Sequence, residues 1–333
     1  MLEFIELGPQ AITTAGALVE GAAGSFPPGT ALPFSNVRLL APIPRPRKNI
    51  FGIGLNYTEH VAESAKSLDT SADLPRQPVI FSKPPTAVIG PDEPILHDAT
   101  ITQQLDWEVE LAAIIGRTAK RVSRETALTY VFGYTVLIDM SARDCRRAGQ
   151  WIYSKGQDSY APMGPVVVTA DEIPDPQTLD LWLTVNGIEK QRSNTAYMLF
   201  KVDELIADIS RGITLEAGDI IATGTPAGVG AGRDPQEWLW PGDVVVATVE
   251  GIGTLRHPIV KAGCRSRTAP CASATDGCAA RWRRRGWPLP ARPARDISSG
   301  MTLPDGAAAR AQVMTRLSQK AAARCVSNGA VSG

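Results

Sequence analysis

Asp106-Trp107-Glu108-Val109-Glu110-Leu111 alternates acidic and apolar residues without a break, and the run stays apolar through Ile115. On a β-strand, side chains two positions apart share a face. The spacing therefore predicts a strand with Asp106, Glu108 and Glu110 on one side and Trp107, Val109 and Leu111 on the other. Like charges stacked in this way repel. A hard divalent cation such as Mg²⁺ or Mn²⁺ relieves that repulsion, because carboxylate oxygens are its preferred ligands. Solvent on an exposed strand face relieves it as well, and the stripe alone leaves both readings open. A further acid stands at the exit of the next apolar strand, Val131–Ile138, where Asp139 precedes Ser141-Ala-Arg-Asp-Cys-Arg-Arg. A carboxylate there can complete a three-acid site with open positions for water and substrate. Helix capping by Asp139 and Ser141 is the plainer alternative.

Working outward, strands and turns alternate from Asn49 to Val260. Val185-Asn186-Gly187-Ile188 reads as a tight hairpin, since Asn-Gly tolerates the positive φ such turns need. Glu216-Ala-Gly-Asp219 and Pro241-Gly-Asp243 launch the apolar runs Ile220–Ala222 and Val244–Val246. Helical periods are few, at Glu59–Lys66, Arg124–Val131, Ala142–Gly149 and Lys201–Ser210. The pattern predicts an α+β fold, a β-rich mixed-sheet roll or sandwich with a few packed helices. Residues 1–47, with MLEFIEL and NVRLLAPI on either side of the break GSFPPGT, read as a small N-terminal β segment. Residues 48–261 form the main domain.

The chain of 333 residues has 34 Lys and Arg against 34 Asp and Glu, so it lacks the overall basic field of a nucleic-acid binder. No stretch of about 18 apolar residues predicts a membrane span, and MLEFIELGPQ lacks the pattern of a signal peptide. The charge is unevenly spread. Residues 262–333 hold 12 basic residues and only Asp276, Asp296 and Asp305, together with four of the five cysteines. This segment reads as a low-complexity basic tail, expected to be disordered. Sharper readings are a nucleic-acid or membrane contact at Arg281–Arg285 with Trp282 and Trp287, or a zinc site from His257, Cys264, Cys271 and Cys278. The sevenfold spacing of the latter departs from paired zinc ligands. With Cys145 as the body's only thiol, a reducing compartment, most simply the cytoplasm, is expected.

Three other places carry chemistry. His60 and Glu63 stand at i and i+3 on one helical face, where the carboxylate can orient the imidazole as a base; a surface ion pair is the alternative. Thr223-Gly-Thr225-Pro-Ala-Gly-Val-Gly230 is a rigid loop whose backbone N–H groups, with the Thr225 hydroxyl, can bind a carboxylate. It lacks the Gly-Lys-Ser/Thr of a phosphate loop. Lys155, within Ser154-Lys-Gly-Gln-Asp158, can stabilise developing negative charge or sit in solvent. His97 and His257 have no partner pattern and read as structural.

Jointly and in order, these segments resemble the fumarylacetoacetate hydrolase family in its short bacterial form. The matching text is Gly54-Leu-Asn-Tyr-Thr-Glu-His60-Val-Ala-Glu63, Phe81-Ser-Lys83-Pro, Asp106-Trp-Glu108-Val-Glu110-Leu, Phe132-Gly-Tyr, Asp139-Met-Ser-Ala-Arg143-Asp144, Lys155-Gly, Ala161-Pro-Met-Gly-Pro165, Asn186-Gly and Gly218-Asp-Ile-Ile-Ala-Thr-Gly224-Thr225-Pro226-Ala-Gly-Val-Gly230. The resemblance covers about Val37–Pro258 and leaves the tail outside. It implies a homodimeric mixed-sheet roll with Mg²⁺ or Mn²⁺ on Glu108, Glu110 and Asp139. It also implies a water-activating His60–Glu63 dyad on a lid segment, Lys155 beside the metal, and Thr225 with Gly224 holding a substrate carboxylate. Lys83, Arg143 and Gln191 are implied secondary substrate contacts. Two departures stand out: Ile138 replaces the Asn common before the metal Asp, and Gln157 replaces a frequent aromatic residue.

The implied reaction is hydrolysis of a C–C bond in an acylpyruvate-type or β-diketone acid, with the metal polarising the carbonyls and Lys155 stabilising the departing enolate. Decarboxylation of oxaloacetate and keto–enol or double-bond isomerisation are the alternatives on the same site. A non-catalytic scaffold is the alternative of another class. A complete set of Glu108, Glu110, Asp139, His60, Glu63 and Lys155 argues against it.

Overall fold

The computed structural model describes residues 1–22, 26, 29–67 and 73–263. In chain order its elements are α1 (Leu2–Glu6), α2 (Pro9–Gly21), β1 (Ile50–Gly54), α3 (Thr58–Ser67), β2 (Val79–Lys83), β3 (Val88–Ile89) and β4 (Ile95–His97). There follow β5 (Leu105–Asp106), β6 (Val109–Ile115), α4 (Arg124–Ala127), β7 (Val131–Ile138), β8 (Ser141–Ala142), α5 (Ile152–Lys155) and β9 (Ala161–Thr169). The last are β10 (Asp180–Val185), β11 (Ile188–Asn194), α6 (Val202–Gly212), β12 (Ile220–Ala222), β13 (Val244–Val249) and β14 (Gly253–Lys261).

Two sheets dominate. One has seven strands in the order β2-β1-β12-β6-β7-β9-β3 and the other five, in the order β11-β10-β13-β14-β4. Parallel pairs β1–β12, β3–β9 and β14–β4 make both sheets mixed. Every residue of β6 and β7 is buried, which explains why the apolar runs after Glu110 and before Asp139 lose alternation. The side of β6 bearing Val109, Leu111 and Ala113 packs in one core with Leu181 and Leu183 of β10 and Val245 and Ala247 of β13. The opposite side, bearing Ala112 and Ile114, meets Ile5, Ala41 and Ile43. The expected α+β mixed-sheet architecture is thus present, as a layered roll whose central strand pair is covered on both faces.

The Asn-Gly hairpin is where the sequence puts it. Asn186 (φ 53°) and Gly187 (φ 81°) join β10 to β11. The turn glycine Gly218 precedes β12, and β13 follows Gly242. α3 and α6 form close to their expected ranges.

Three expectations need correction. MLEFIEL is the helix α1, and no strand forms in the described part of residues 1–47, so the N-terminal β segment is absent. Its apolar residues also fit a helical face, and Ile5 is fully buried beneath the seven-stranded sheet. Pro9 then opens α2, where the missing N–H costs nothing. Ala142–Gly149 is not a helix: Ser141 and Ala142 pair with β5, a 3-10 turn covers Arg143–Cys145, and the Arg143 N–H donates to Gln104 O at 3.0 Å. Finally, the acidic stripe breaks at Trp107–Glu108. Asp106 lies in β5 and Glu110 in β6. The readings made on residues 264–333 lie outside the described residues.

Candidate metal centre and its surroundings

Glu108, Glu110 and Asp139 converge where β6 and β7 begin and end their ladder. Val109 is registered with Ile138, and the Asp139 N–H donates to Glu108 O at 2.9 Å. One carboxylate oxygen from each lies within 4.8 Å of the others, and all three residues are buried. Asp106 is not part of this group.

Cations close the ring. Lys155, at the end of α5, donates from Nζ to Glu108 Oε2 at 2.8 Å and Asp139 Oδ2 at 2.7 Å. Arg143 donates to Glu108 Oε1 at 2.7 Å and to Asp106 Oδ2 at 2.8 Å. Lys83, fully buried on β2, donates to Asp139 Oδ1 at 2.5 Å, to Met140 O at 3.3 Å and to the carbonyl of Lys155. Its three donors are therefore all spent on the protein. Lys83 stands behind the acids and ties Asp139 to the end of α5.

The acids differ in their electrostatics. Burial alone would raise Glu108, but the charges of Lys155 and Arg143 hold it well below the ordinary carboxylate range. Burial and the neighbouring Asp139 and Glu108 push Glu110 well above it. Glu110 Oε2 accepts the Gly224 N–H at 2.9 Å, whereas Glu110 Oε1 is buried without a hydrogen-bond partner among the described residues. An oxygen orphaned beside two more carboxylates is what a hard divalent cation would ligate, so the residue set fits Mg²⁺ or Mn²⁺. Lys155 is raised, because Asp139 and Glu108 outweigh its burial. Burial lowers Lys83 despite the charge of Asp139.

His60 lies on α3, 5% exposed. His60 Nδ1 meets Glu63 Oε2 at 3.1 Å, and Ser64 Oγ lies 3.4 Å from His60 Nε2. The Glu63 carboxylate also accepts the Gly228 N–H through Oε1 at 2.9 Å. With Nδ1–H donating to Glu63, the lone pair stands at Nε2, which is left as the proton-transfer atom. His60, Glu108, Arg143, Lys155 and Thr225 line one pocket, with Trp151 as a wall.

The remaining predicted residues stand nearby with their polar atoms engaged. Gln191 is buried on β11, accepts the Val109 N–H at 3.0 Å, and donates to Thr225 Oγ1 and Pro226 O, each at 2.8 Å. Thr225 donates its hydroxyl to Val109 O at 2.9 Å. Together they clamp the residue between Glu108 and Glu110, while the Gly224 N–H is spent on Glu110. Lys83, Gln191 and Gly224 do not line the pocket. Ser64 and Trp151, which do, were not singled out from sequence. The spacing of Ser64, one helical turn from His60, was the available signal for it. Ile138 packs in the inter-sheet core, away from Asp139.

Of the two histidines read as structural, His97 meets Thr102 O at 3.1 Å and His257 meets Glu93 O at 2.8 Å. Burial lowers His257 to about 4. No helix among the described residues is long and apolar enough to cross a membrane.

Known proteins resemble the chain over most of its described length. The family described as fumarylacetoacetate (FAA) hydrolase C-terminal matches residues 49–260. The oxaloacetate tautomerase YisK of Bacillus subtilis is 44% identical over 226 residues, covering 68% of this chain and 74% of that protein. The mitochondrial oxaloacetate tautomerase fahd2 of Xenopus laevis is 40% identical over 263 residues, covering 78% of each. The crystal structure of 5-carboxymethyl-2-hydroxymuconate delta-isomerase from Mycobacterium smegmatis superimposes with a TM-score of 0.59 at 42% identity, over 69% of this chain and 82% of that one. With the fold, the three buried acids and the matched span in agreement, the chain belongs to the fumarylacetoacetate hydrolase family.

Proposed function

We propose that the protein is a divalent-metal-dependent tautomerase or isomerase of a small dicarboxylic 2-keto acid of the oxaloacetate class. The observation that carries this reading is the single pocket in which Lys155, bridging Glu108 and Asp139, shares space with His60. The likeness to oxaloacetate tautomerases and to an isomerase supports it over the hydrolysis expected from the family resemblance.

A bound Mg²⁺ or Mn²⁺, held by Glu108, Glu110 and Asp139, would act as a Lewis acid on the keto group and acidify the adjacent carbon. The chain's own groups supply the rest. Glu63, fixed by the Gly228 N–H, accepts from His60 Nδ1 and keeps the lone pair at Nε2. Nε2 then takes a proton from the carbon beside the ketone while the oxygen gains one from solvent, and in the ketonising direction the enol O–H proton leaves to solvent while the Nε2 proton passes to the carbon. Lys155 donates toward the oxygen that gains negative charge. Arg143 offers a guanidinium at the pocket wall for a substrate carboxylate. Hydrolysis would need the same dyad to deliver a water to a second carbonyl, and it becomes an arm of the test.

β2 ends the seven-stranded sheet, and its outer edge with the exposed Ile80 is where we place the contact of a homodimer. A buried Cys145 suits a reducing compartment such as the cytoplasm. The test is to follow the enol-to-keto conversion of oxaloacetate with added Mn²⁺ and after chelation, beside release of CO₂ and cleavage of an acylpyruvate. Chelator-sensitive ketonisation with little CO₂ release is expected. Acylpyruvate cleavage as the dominant turnover would overturn the reading.

A further inference from the structure

Asp106 opens the acidic stripe yet stands outside the metal group. It is completely buried, and its two oxygens accept four hydrogen bonds. Oδ1 takes the N–H groups of Trp107 at 2.8 Å and Gly230 at 2.6 Å. Oδ2 takes Arg143 Nε at 2.8 Å and the Ala231 N–H at 3.0 Å. A carboxylate so saturated has little left to offer a cation. It can fix whatever carries those donors.

The donors lead to both sides of the pocket. Gly230 and Ala231 belong to the loop whose Gly228 N–H holds Glu63, and the Trp107 indole grips the same residue by donating to Gly228 O at 3.2 Å. The loop sits against Glu63 without slack: a methyl group at Gly232 would overlap the Glu63 carboxyl. At Gly230 a methyl carbon would lie 2.7 Å from Asp106 Oδ1. On the other side, Arg143 reaches from Asp106 to Glu108 Oε1 at 2.7 Å.

We propose that Asp106 is a positioning residue: it anchors the Gly228–Gly232 loop as a seat for Glu63, and thereby sets the aim of His60 toward the pocket, without itself ligating the metal. The inference rests on the proton-transfer reading of His60 and Glu63. Replacing Asp106 by Asn keeps one oxygen for Trp107 and Gly230 but turns an NH₂ group toward the Ala231 N–H and Arg143, donor against donor.

The test combines three readouts on the full chain carrying Asp106→Asn: direct Mn²⁺ titration, amide hydrogen exchange, and steady-state kinetics on the keto acid. Mn²⁺ affinity within about threefold of wild type is expected, with KM raised by up to about tenfold through Arg143 and kcat lower by about 10–100-fold, the scale of a small misplacement of a catalytic group. Exchange is expected to rise both at Gly228–Arg233 and at Thr58–Ser67, because losing the seat frees the helix that carries the dyad. Loss of Mn²⁺ binding as complete as in Glu108→Ala would overturn the proposal by making Asp106 part of the metal site. Wild-type kcat, or faster exchange confined to the loop, would overturn it by making Asp106 merely structural. Should Asp106→Asn fail to fold, Gly232→Ala carries the test: it presses on Glu63 from the same loop, and wild-type kcat in that variant overturns the seat. Should the wild type leave the keto acid unchanged, the functional reading fails, while exchange at Thr58–Ser67 still decides the seat.

Discussion

Glu110 carries the sharpest consequence at the scale of a single residue. One of its oxygens is held by the Gly224 N–H and the other has no hydrogen-bond partner among the described residues. Burial and two neighbouring carboxylates make it keep its proton into a range where a free carboxyl has lost it. A divalent cation must expel that proton. Affinity for Mn²⁺ is therefore expected to climb as pH rises through the raised range of Glu110, by up to about tenfold per pH unit, and to level off above it. Calorimetric titrations at several pH values, repeated in buffers of different ionisation enthalpy, would register the released proton. An affinity independent of pH would contradict this account. The residues that make the site were legible in the sequence as types and spacings: acid-x-acid, a terminal Asp, His and Glu one turn apart. Their division of labour was not. Asp106 shares the stripe with Glu108 and Glu110, and only its tertiary neighbours show that its oxygens are taken up by Arg143 and the backbone; the partners of Lys83 and Gln191 are equally out of reach of the sequence.

At the scale of elements, short-range chemistry was readable where it decides the outcome by itself. Asn186-Gly187 demands positive φ at two successive positions, and the β10–β11 hairpin forms around it. Among the described residues, no heavy atom beyond its two chain neighbours lies within 4 Å of the place a Gly187 side chain would occupy, so a substitution there meets only backbone strain. Gly187→Ala is expected to lower unfolding stability by about 1–2 kcal/mol in urea denaturation, the usual cost of a left-handed residue with a Cβ. An unchanged midpoint would contradict that. Elsewhere the pattern was ambiguous. MLEFIEL is too short and too apolar for its pattern to exclude a strand, although Glu3 and Glu6 stand three apart as on a helix, and docking of Ile5 under the sheet selects the helix. The segment after Asp139 has helix formers, but pairing of β8 with β5 and the pull of Asp106 and Glu108 on Arg143 keep it extended and then tightly turned.

Over the whole molecule, the seven-stranded sheet is covered on one face by the five-stranded sheet and on the other by the N-terminal segment, so the acids at the junction of β6 and β7 are withdrawn from water. The family match ends at residue 260 and β14 at Lys261, whose neighbour Ala262 donates its N–H to His97 O at 2.8 Å. A chain of residues 1–263 is accordingly expected to melt within about 2 °C of the full chain, the shift of a change no larger than about 1 kcal/mol, and to keep its turnover. A large loss in either would give residues 264–333 a part in the fold or the site. One event underlies the proposed activity: movement of a proton at the carbon beside a keto group by His60 Nε2. The measurement closest to it is deuterium incorporation at that carbon of the proposed substrate, in D₂O with Mn²⁺, by wild type and by His60→Ala. Enzyme-dependent incorporation that falls by about 10²-fold or more in the variant, with Mn²⁺ still bound, is the expected result. Incorporation at the same rate in both proteins would contradict it.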